Sequence, residues 1–184
     1  MMRSRRKISG PPRRASARAR RAAPRIRLLV LDVDGVLTDG RLYFGPRGEL
    51  VKAFHVRDGY GIQAVRAAGI EVAVLSGRRS AAVARRCREL GIRHLVQGAG
   101  DKLAAFAALA ERLRVEPREC ACIGDDVPDL ALMRAVGRAY AVQDAHPAAR
   151  AAAHYTTSLP GGRGAVREVC DHLARAPGHG ERAR

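Results

Sequence analysis

The sequence predicts a doubly wound, mostly parallel α/β sheet of Rossmann-like type, with a short β-hairpin after its first strand in place of a larger accessory domain. Three observations carry that expectation. Short apolar runs at residues 28–31, 71–75, 94–96, 120–123 and 139–142 have the length of buried strands. Stretches with helical start and stop signals separate them, which is the spacing of strand–helix–strand units in a parallel sheet. Acids or small polar residues follow several of the runs, at the strand ends where open α/β sheets place their chemistry.

The first run ends in Asp32-Val33-Asp34-Gly35. Extended geometry has a period of two, so both carboxylates fall on one side and Val33 on the other. Such close acids repel and are costly to desolvate unless a cation or a shared proton offsets them; a polar turn closing a core strand is the plain alternative. Residues 41–44 and 50–56 are β-rich runs around Gly45-Pro46-Arg47-Gly48, the pattern of a hairpin. Leu42, Phe44 and Phe54 are too few to make a core, and an isolated hairpin is marginal in water. The hairpin therefore needs the body or another subunit to pack on.

Asp58-Gly59 starts a helix to about residue 68, stopped by Gly69. The 71–75 strand leads into Ser76-Gly77-Arg78, and residues 80–90 form a helix stopped by Gly91. After the 94–96 strand, Asp101 caps a helix over 102–113. The 120–123 strand ends in Gly124-Asp125-Asp126, followed by a helix over 128–136 and the strand at 139–142. The Ala-rich stretch 147–153 is a short helix, and residues 161–164 lead into a last helix ending near 173.

Composition bounds what such a chain can do. Its 184 residues suit one domain with a full core. The formal net charge is +16, but residues 1–25 carry ten Lys or Arg and no acid, leaving 24 bases against 18 acids in the remainder. The basicity thus belongs mostly to a segment rich in Arg, Pro, Ser and Ala, which reads as a disordered basic extension. It is open to three interpretations: a spare extension, a tether to nucleic acid or an acidic surface, and a transit peptide. The folded α/β domain is expected over 26–176, with its hairpin at 40–57, and a flexible tail over 177–184. No apolar stretch reaches the ~20 residues of a membrane span, and the N-terminal segment has no signal-peptide h-region, so no membrane partner is expected. Cys87, Cys120, Cys122 and Cys170 form no CxxC pair; they suit buried thiols in a reducing cytoplasm better than a zinc site.

Four polar groups fall at strand ends or helix starts: Asp32 with Asp34, Ser76, Lys102, and Asp125 with Asp126 and Asp129. Strand carboxyl ends share one rim in a parallel sheet, so these groups can converge. The acids attract a hard divalent cation, and Mg²⁺ takes one or two carboxylates together with water and phosphate oxygens. Lys102 and Ser76 are then left to hold phosphate. Asp32 is a candidate nucleophile forming an acyl phosphate, and Asp34 is placed to protonate the leaving alcohol and later to activate water. Little more is needed, because phosphoryl transfer is mostly positioning and charge stabilisation. Each group also has a structural explanation: a turn cap for Ser76, an exposed first-turn Lys102, helix N-terminal acids for Asp125, Asp126 and Asp129. Lys102 fits its explanation poorly, since a cation at a positive helix end needs acids or an anion to offset it.

These residues carry a resemblance. Asp32-Val-Asp-Gly-Val-Leu-Thr38-Asp39-Gly, Leu-Ser76-Gly-Arg, Lys102 and Gly-Asp125-Asp126-Val-Pro-Asp129-Leu resemble the four motifs of the haloacid dehalogenase superfamily. The immediate Thr-Asp-Gly, the hairpin, Asp58-Gly-Tyr-Gly-Ile, Asp144-Ala-His146-Pro and Gly161-Gly-Arg-Gly-Ala-Val-Arg-Glu are similar to its hairpin-capped sugar-acid phosphatases, over roughly 26–174. The resemblance excludes the basic extension. It implies a cytoplasmic Mg²⁺-dependent phosphatase of a keto-sugar-acid phosphate in lipopolysaccharide precursor synthesis. It also implies a homotetramer whose hairpins meet at the centre and cover neighbouring sites. By its pattern, Asp32, the backbone carbonyl of Asp34, and Asp125 hold the metal, with Asp126 and Asp129 as supporting acids. Thr38, Asp58, Arg78 and the Gly162-Arg163-Gly164 segment are candidate substrate contacts, the last across a subunit boundary. Whether the sugar has eight or nine carbons stays open. A non-catalytic receiver module phosphorylated on Asp is a second class of reading, disfavoured by Asp34 two residues after the acceptor. Nucleic-acid processing is a third; the core has few aromatics for stacking and no basic stripe.

Overall fold

The computed structural model describes residues 25–46 and 48–175. Of the expected basic extension only Arg25 is among them, and the tail expected over 177–184 lies outside the described residues. Among these residues, six strands form one parallel sheet in the order β5-β4-β1-β6-β7-β8. They are β1 (Leu28–Leu31), β4 (Glu71–Ser76), β5 (His94–Gln97), β6 (Cys120–Gly124), β7 (Arg138–Ala141) and β8 (Tyr155–Thr156). All four residues of β1 are buried, as a central strand covered on both faces requires. Its register sets Leu31 beside Val74 of β4 and Ile123 of β6, so the segments leaving β1 and β6 emerge side by side.

From β1 the chain first builds outward through β4 and β5, then crosses back to β6, β7 and β8 on the other flank. Right-handed crossovers then put α1 (Val56–Ala67) and α2 (Ala81–Glu89) on one face and α3 (Lys102–Leu113), α4 (Leu130–Ala135) and α5 (Pro147–Ala152) on the other. The packing agrees: α4 touches both α3 and α5, while α6 (Ala165–Ala174) returns to α1. The four cysteines are buried and unpaired in the core, and no helix among the described residues is long and apolar enough to cross a membrane.

The pairing of α1 with α6 explains the Asp58-Gly-Tyr-Gly-Ile motif. A Cβ on Gly61 would stand 3.0 Å from Arg167 Cα and 3.1 Å from Cys170 Cβ, so the missing side chain lets the two helices pack closely here. Gly164, the residue before α6, has no side chain to cap it. Asp58 supplies the acceptor from α1 instead, taking the Arg167 N–H at 2.8 Å.

The hairpin stands apart as a two-stranded antiparallel sheet of β2 (Tyr43–Gly45) and β3 (Gly48–Val51). Its strands are shorter than the pattern suggested. At the far end the helix claims residues from Val56 onward, with the His55 side chain accepting the Arg57 N–H. Three other differences are local. β8 is a two-residue edge strand with no apolar run to announce it. The helix expected over 128–136 opens as a 3₁₀ turn, Val127–Asp129, before α4 begins. The helix expected from Asp58 begins two residues earlier, so Asp58 lies inside its first turn rather than at its start.

Candidate active site

The topological switch of this sheet lies between β1 and β6, and both strands end there in acids. Gly35 turns the chain after β1 at φ +87°; a Cβ there would lie 2.1 Å from Asp125 Oδ2, so a larger residue would push the two acid-bearing loops apart. Gly124 ends β6 for the same reason, since its Cβ would sit 2.6 Å from that of Asp129.

The resulting cleft, about 290 Å³, is lined by Asp32, Asp34, Ser76, Arg78, Lys102 and Asp125, among others. Lys102, the first residue of α3, is buried with its ammonium 2.8 Å from Asp32 Oδ1 and 2.6 Å from Asp129 Oδ1. The cation that looked misplaced at a helix start is thus offset by two acids from two different strands' ends. Asp129 is fully engaged: its second oxygen accepts the backbone N–H of Asp125 at 3.1 Å and of Asp126 at 3.4 Å. Ser76 is buried at the end of β4, its hydroxyl accepting the Arg78 N–H at 3.2 Å, so it caps the turn and lines the cleft at once.

Electrostatically the cluster is overfull of negative charge. Asp32, Asp125 and Asp129 offer carboxylate oxygens within 4.8 Å of one another, against the single ammonium of Lys102. Burial, and then the charge of Asp129, push Asp32 up to about 6 despite Lys102. Burial, Asp32 and Asp129 push Asp125 up to about 8. Burial alone would lower Lys102, but Asp32 and Asp129 hold it above its ordinary value. Three crowded hard oxygen donors with one balancing charge fit a divalent cation. With both Asp129 oxygens engaged, Asp32 and Asp125 are the members free to ligate.

The other predicted residues divide. Asp34 and Arg78 line the cleft, with Arg78 Nε 3.8 Å from Asp34 Oδ2. Asp126 lines it too, but its carboxylate turns back to the Val127 N–H at 2.7 Å. Thr38 is buried and spends its hydroxyl inside the loop, on Val33 O and the N–H groups of Gly35 and Gly40. Asp58 is buried between α1 and α6, where it caps α6 and does not reach the cleft of its own chain. Gly162 packs behind the loop that follows β1: its N–H donates to Val36 O at 2.9 Å, and a Cβ would lie 2.4 Å from Asp39 N. Its neighbour Gly161 is tighter still, with a Cβ only 1.7 Å from Gly35 O. Arg163 is exposed and Gly164 breaks the chain into α6 at φ +110°. In this chain the 161–164 segment is therefore a brace for the Asp32–Thr38 turn.

Sequence reasoning missed Lys52. It follows β3, its ammonium is buried, and it bonds Asp34 Oδ1 directly while standing 3.4 Å from Glu49 Oε2. Glu49 in turn accepts from the Ser80 hydroxyl. The one available signal was a lone Lys inside the otherwise uncharged run Leu50-Val51-Lys52-Ala53-Phe54.

Known proteins are similar to this chain in sequence and fold. A model of the haloacid dehalogenase-like hydrolases matches residues 56–137. The 3-deoxy-D-manno-octulosonate 8-phosphate phosphatase KdsC of Escherichia coli K12 is 53% identical over 156 residues, 85% of this chain and 83% of that protein. Among solved structures, the phosphatase of that name from Yersinia pestis is 51% identical, with a TM-score of 0.80 over 83% of this chain and 82% of its own. The one from Moraxella catarrhalis, solved with magnesium, phosphate and KDO, is 45% identical with a TM-score of 0.80 over 83% of this chain and 87% of its own.

Proposed function

Because the chain belongs to the 3-deoxy-D-manno-octulosonate 8-phosphate phosphatases of the haloacid dehalogenase-like hydrolases, we propose that it hydrolyses that sugar-acid phosphate through a phosphorylated Asp32. The observation that carries the chemistry is the Asp32 carboxylate, buried at the switch point and held by Lys102 at 2.8 Å. A buried carboxylate fixed at one oxygen is oriented before substrate arrives, which removes much of the entropic cost of attack.

Asp32 attacks phosphorus while the ester bond to the sugar breaks. Asp34 gives its proton to the departing alkoxide, so the free sugar acid leaves as an alcohol. Asp34, now a carboxylate, takes a proton from the water that attacks the acyl phosphate; phosphate leaves and Asp32 is restored. Lys102 and the Ser76 hydroxyl hold phosphate oxygens throughout. Asp32, Asp125 and the Asp34 carbonyl are the groups that would hold Mg²⁺, with Asp129 anchoring Lys102 and the Asp125 loop. When bound, the ion supplies the positive charge that lets an anionic phosphate enter an acidic cleft.

Arg78, which lines the cleft, is the contact to the sugar acid. The reaction is placed in the cytoplasm, in keeping with four unpaired cysteines. The active unit is a homotetramer with the hairpins at its centre, supported by the exposure of Phe44, Leu50 and Val51 on so small an element. Kinetics with Mg²⁺ on eight-carbon and nine-carbon keto-sugar-acid phosphates and p-nitrophenyl phosphate test the assignment. The eight-carbon substrate should give the highest kcat/KM, and chelation should abolish turnover. Equal or better use of the nine-carbon ester would reassign the substrate; no preference for either over p-nitrophenyl phosphate would remove the sugar-acid function.

A further inference from the structure

Asp34 is held from outside the sheet. Its Oδ1 is bonded by the buried Lys52 ammonium, which comes from the end of the hairpin, and its Oδ2 is left on the cleft side, 3.8 Å from Arg78 Nε. Lys52 is itself fixed. Glu49, three residues earlier, stands 3.4 Å away, and Glu49 is bonded by Ser80, the residue that caps α2. A Lys side chain has four rotatable bonds and is rarely buried without a purpose that offsets its desolvation. Here the whole chain of contacts, from Ser80 through Glu49 and Lys52, ends on one oxygen of one carboxylate. The hairpin has no ladder to the main sheet, so this relay ties it electrostatically to the β1 rim.

We infer that Lys52 is a positioning residue for the acid–base step: by holding Asp34 Oδ1 it aims Oδ2, the oxygen that carries the proton, at the bridging oxygen of the substrate. The inference rests on the reading of Asp34 as acid and base. Lys52 is not among the residues that line the cleft and acts through Asp34. The hairpin then does more than cover the site, because the placement of its last residue decides whether the proton is delivered. A 1 Å misplacement of such a group is enough to cost large factors in rate.

Phenyl phosphate and p-nitrophenyl phosphate separate this role from a general loss of structure. They have nearly the same shape and no sugar contacts, but phenolate is the poorer leaving group and needs the proton more. Their kcat/KM values cover only steps through departure of the alcohol, so the later water-activation step does not enter. In Asp34→Asn the phenyl to p-nitrophenyl ratio of kcat/KM should fall on the order of a hundredfold, within the usual span of general acid catalysis. In Lys52→Met it should fall roughly tenfold, as partial loss of the same effect, and Lys52→Arg should recover most of it by restoring a cation on Oδ1. If Lys52→Met lowered both esters equally, or left both unchanged, while Asp34→Asn lost the ratio, the positioning role would be wrong and the acid–base reading would stand. If Asp34→Asn itself kept the ratio, the acid–base reading would fall first and take this inference with it.

Discussion

At the rim where β1 meets β6, charged side chains are buried in a setting of apolar strands; in the β2–β3 hairpin, apolar side chains face solvent and the charge is inside. Asp32, Asp129 and Lys102 are enclosed beside the wholly buried Leu31 and Ile123, whereas Leu50 is 73% exposed and Phe44 61% while Lys52 is buried. The rim crowds three carboxylates around one ammonium, and the hairpin turns an apolar face to solvent. The first suits a divalent cation, and the second is the face on which the proposed tetramer rests. Each can be broken separately.

The largest effect belongs to the rim. Lys102→Met leaves Asp32 and Asp129 buried without their cation, and kcat should drop about a hundredfold to a thousandfold, as when a preorganised charge donor is removed. Steady-state kinetics on the sugar-acid phosphate measure it. Rates within a factor of a few of the parent would mean that Lys102 only balances charge at rest.

Next comes the brace beneath the rim. Gly161→Ala puts a methyl against Gly35 O, where a Cβ would lie at 1.7 Å. The chain must move there, at a cost of about 1–3 kcal/mol, and the turn that moves carries Asp32 and Asp34. Thermal unfolding and kcat should therefore fall together. A loss of stability with unchanged kcat would detach the brace from the site.

A smaller effect is expected in the pH dependence of the metal-free protein. Asp32 and Asp125 have folded values near 6 and 8, above the ordinary 3.8. A carboxyl raised in this way binds its proton more tightly folded than unfolded, so its stabilising contribution is complete below pH 3.8 and is lost as the pH climbs through 6 and 8. With chelator present, this contribution should lower the melting temperature steadily from pH 4 to pH 8.5. Mg²⁺ should raise it more at pH 8 than at pH 5, where protons compete for the same oxygens. An equal rise at both values would place the ion elsewhere.

The smallest effect on the chain's own fold should come from the hairpin surface. Leu50→Glu exchanges one exposed side chain for another and should alter intrinsic stability by no more than ~0.5 kcal/mol. Its consequence should appear in assembly: light scattering should report a smaller particle than the parent's, with activity reduced alongside. An unchanged mass would leave the hairpin's apolar face without its proposed partner.

The rim was legible in the sequence because its logic is local. An apolar run of strand length followed by Asp32-Val33-Asp34-Gly35, and another followed by Gly124-Asp125, locate two strand ends, and the parallel topology brings them together. Lys102 was legible through a contradiction, a cation at a positive helix end that needed acids nearby. The hairpin was legible as an element but not as a source of site residues. Nothing in the spacing of Lys52 and Asp34, eighteen residues apart, says that one is folded onto the other. Asp58 and Gly161 were visible as motif members, but their packing roles were not: one caps α6 from a neighbouring helix, and the other clears space for a carbonyl. Both roles depend on the approach of segments more than a hundred residues apart, which periodicity does not encode. β8 is two exposed residues long and leaves no pattern.

If Asp32 becomes covalently phosphorylated during turnover, the intermediate can be trapped. Enzyme mixed with Mg²⁺ and the sugar-acid phosphate is quenched in acid, reduced with borohydride and digested, and the reduced aspartate is located by mass spectrometry. Reduction should occur at Asp32, require substrate and disappear in Asp32→Asn. Substrate-dependent reduction at Asp125 or Asp129 instead, or an Asp32→Asn protein that still turns over, would contradict it.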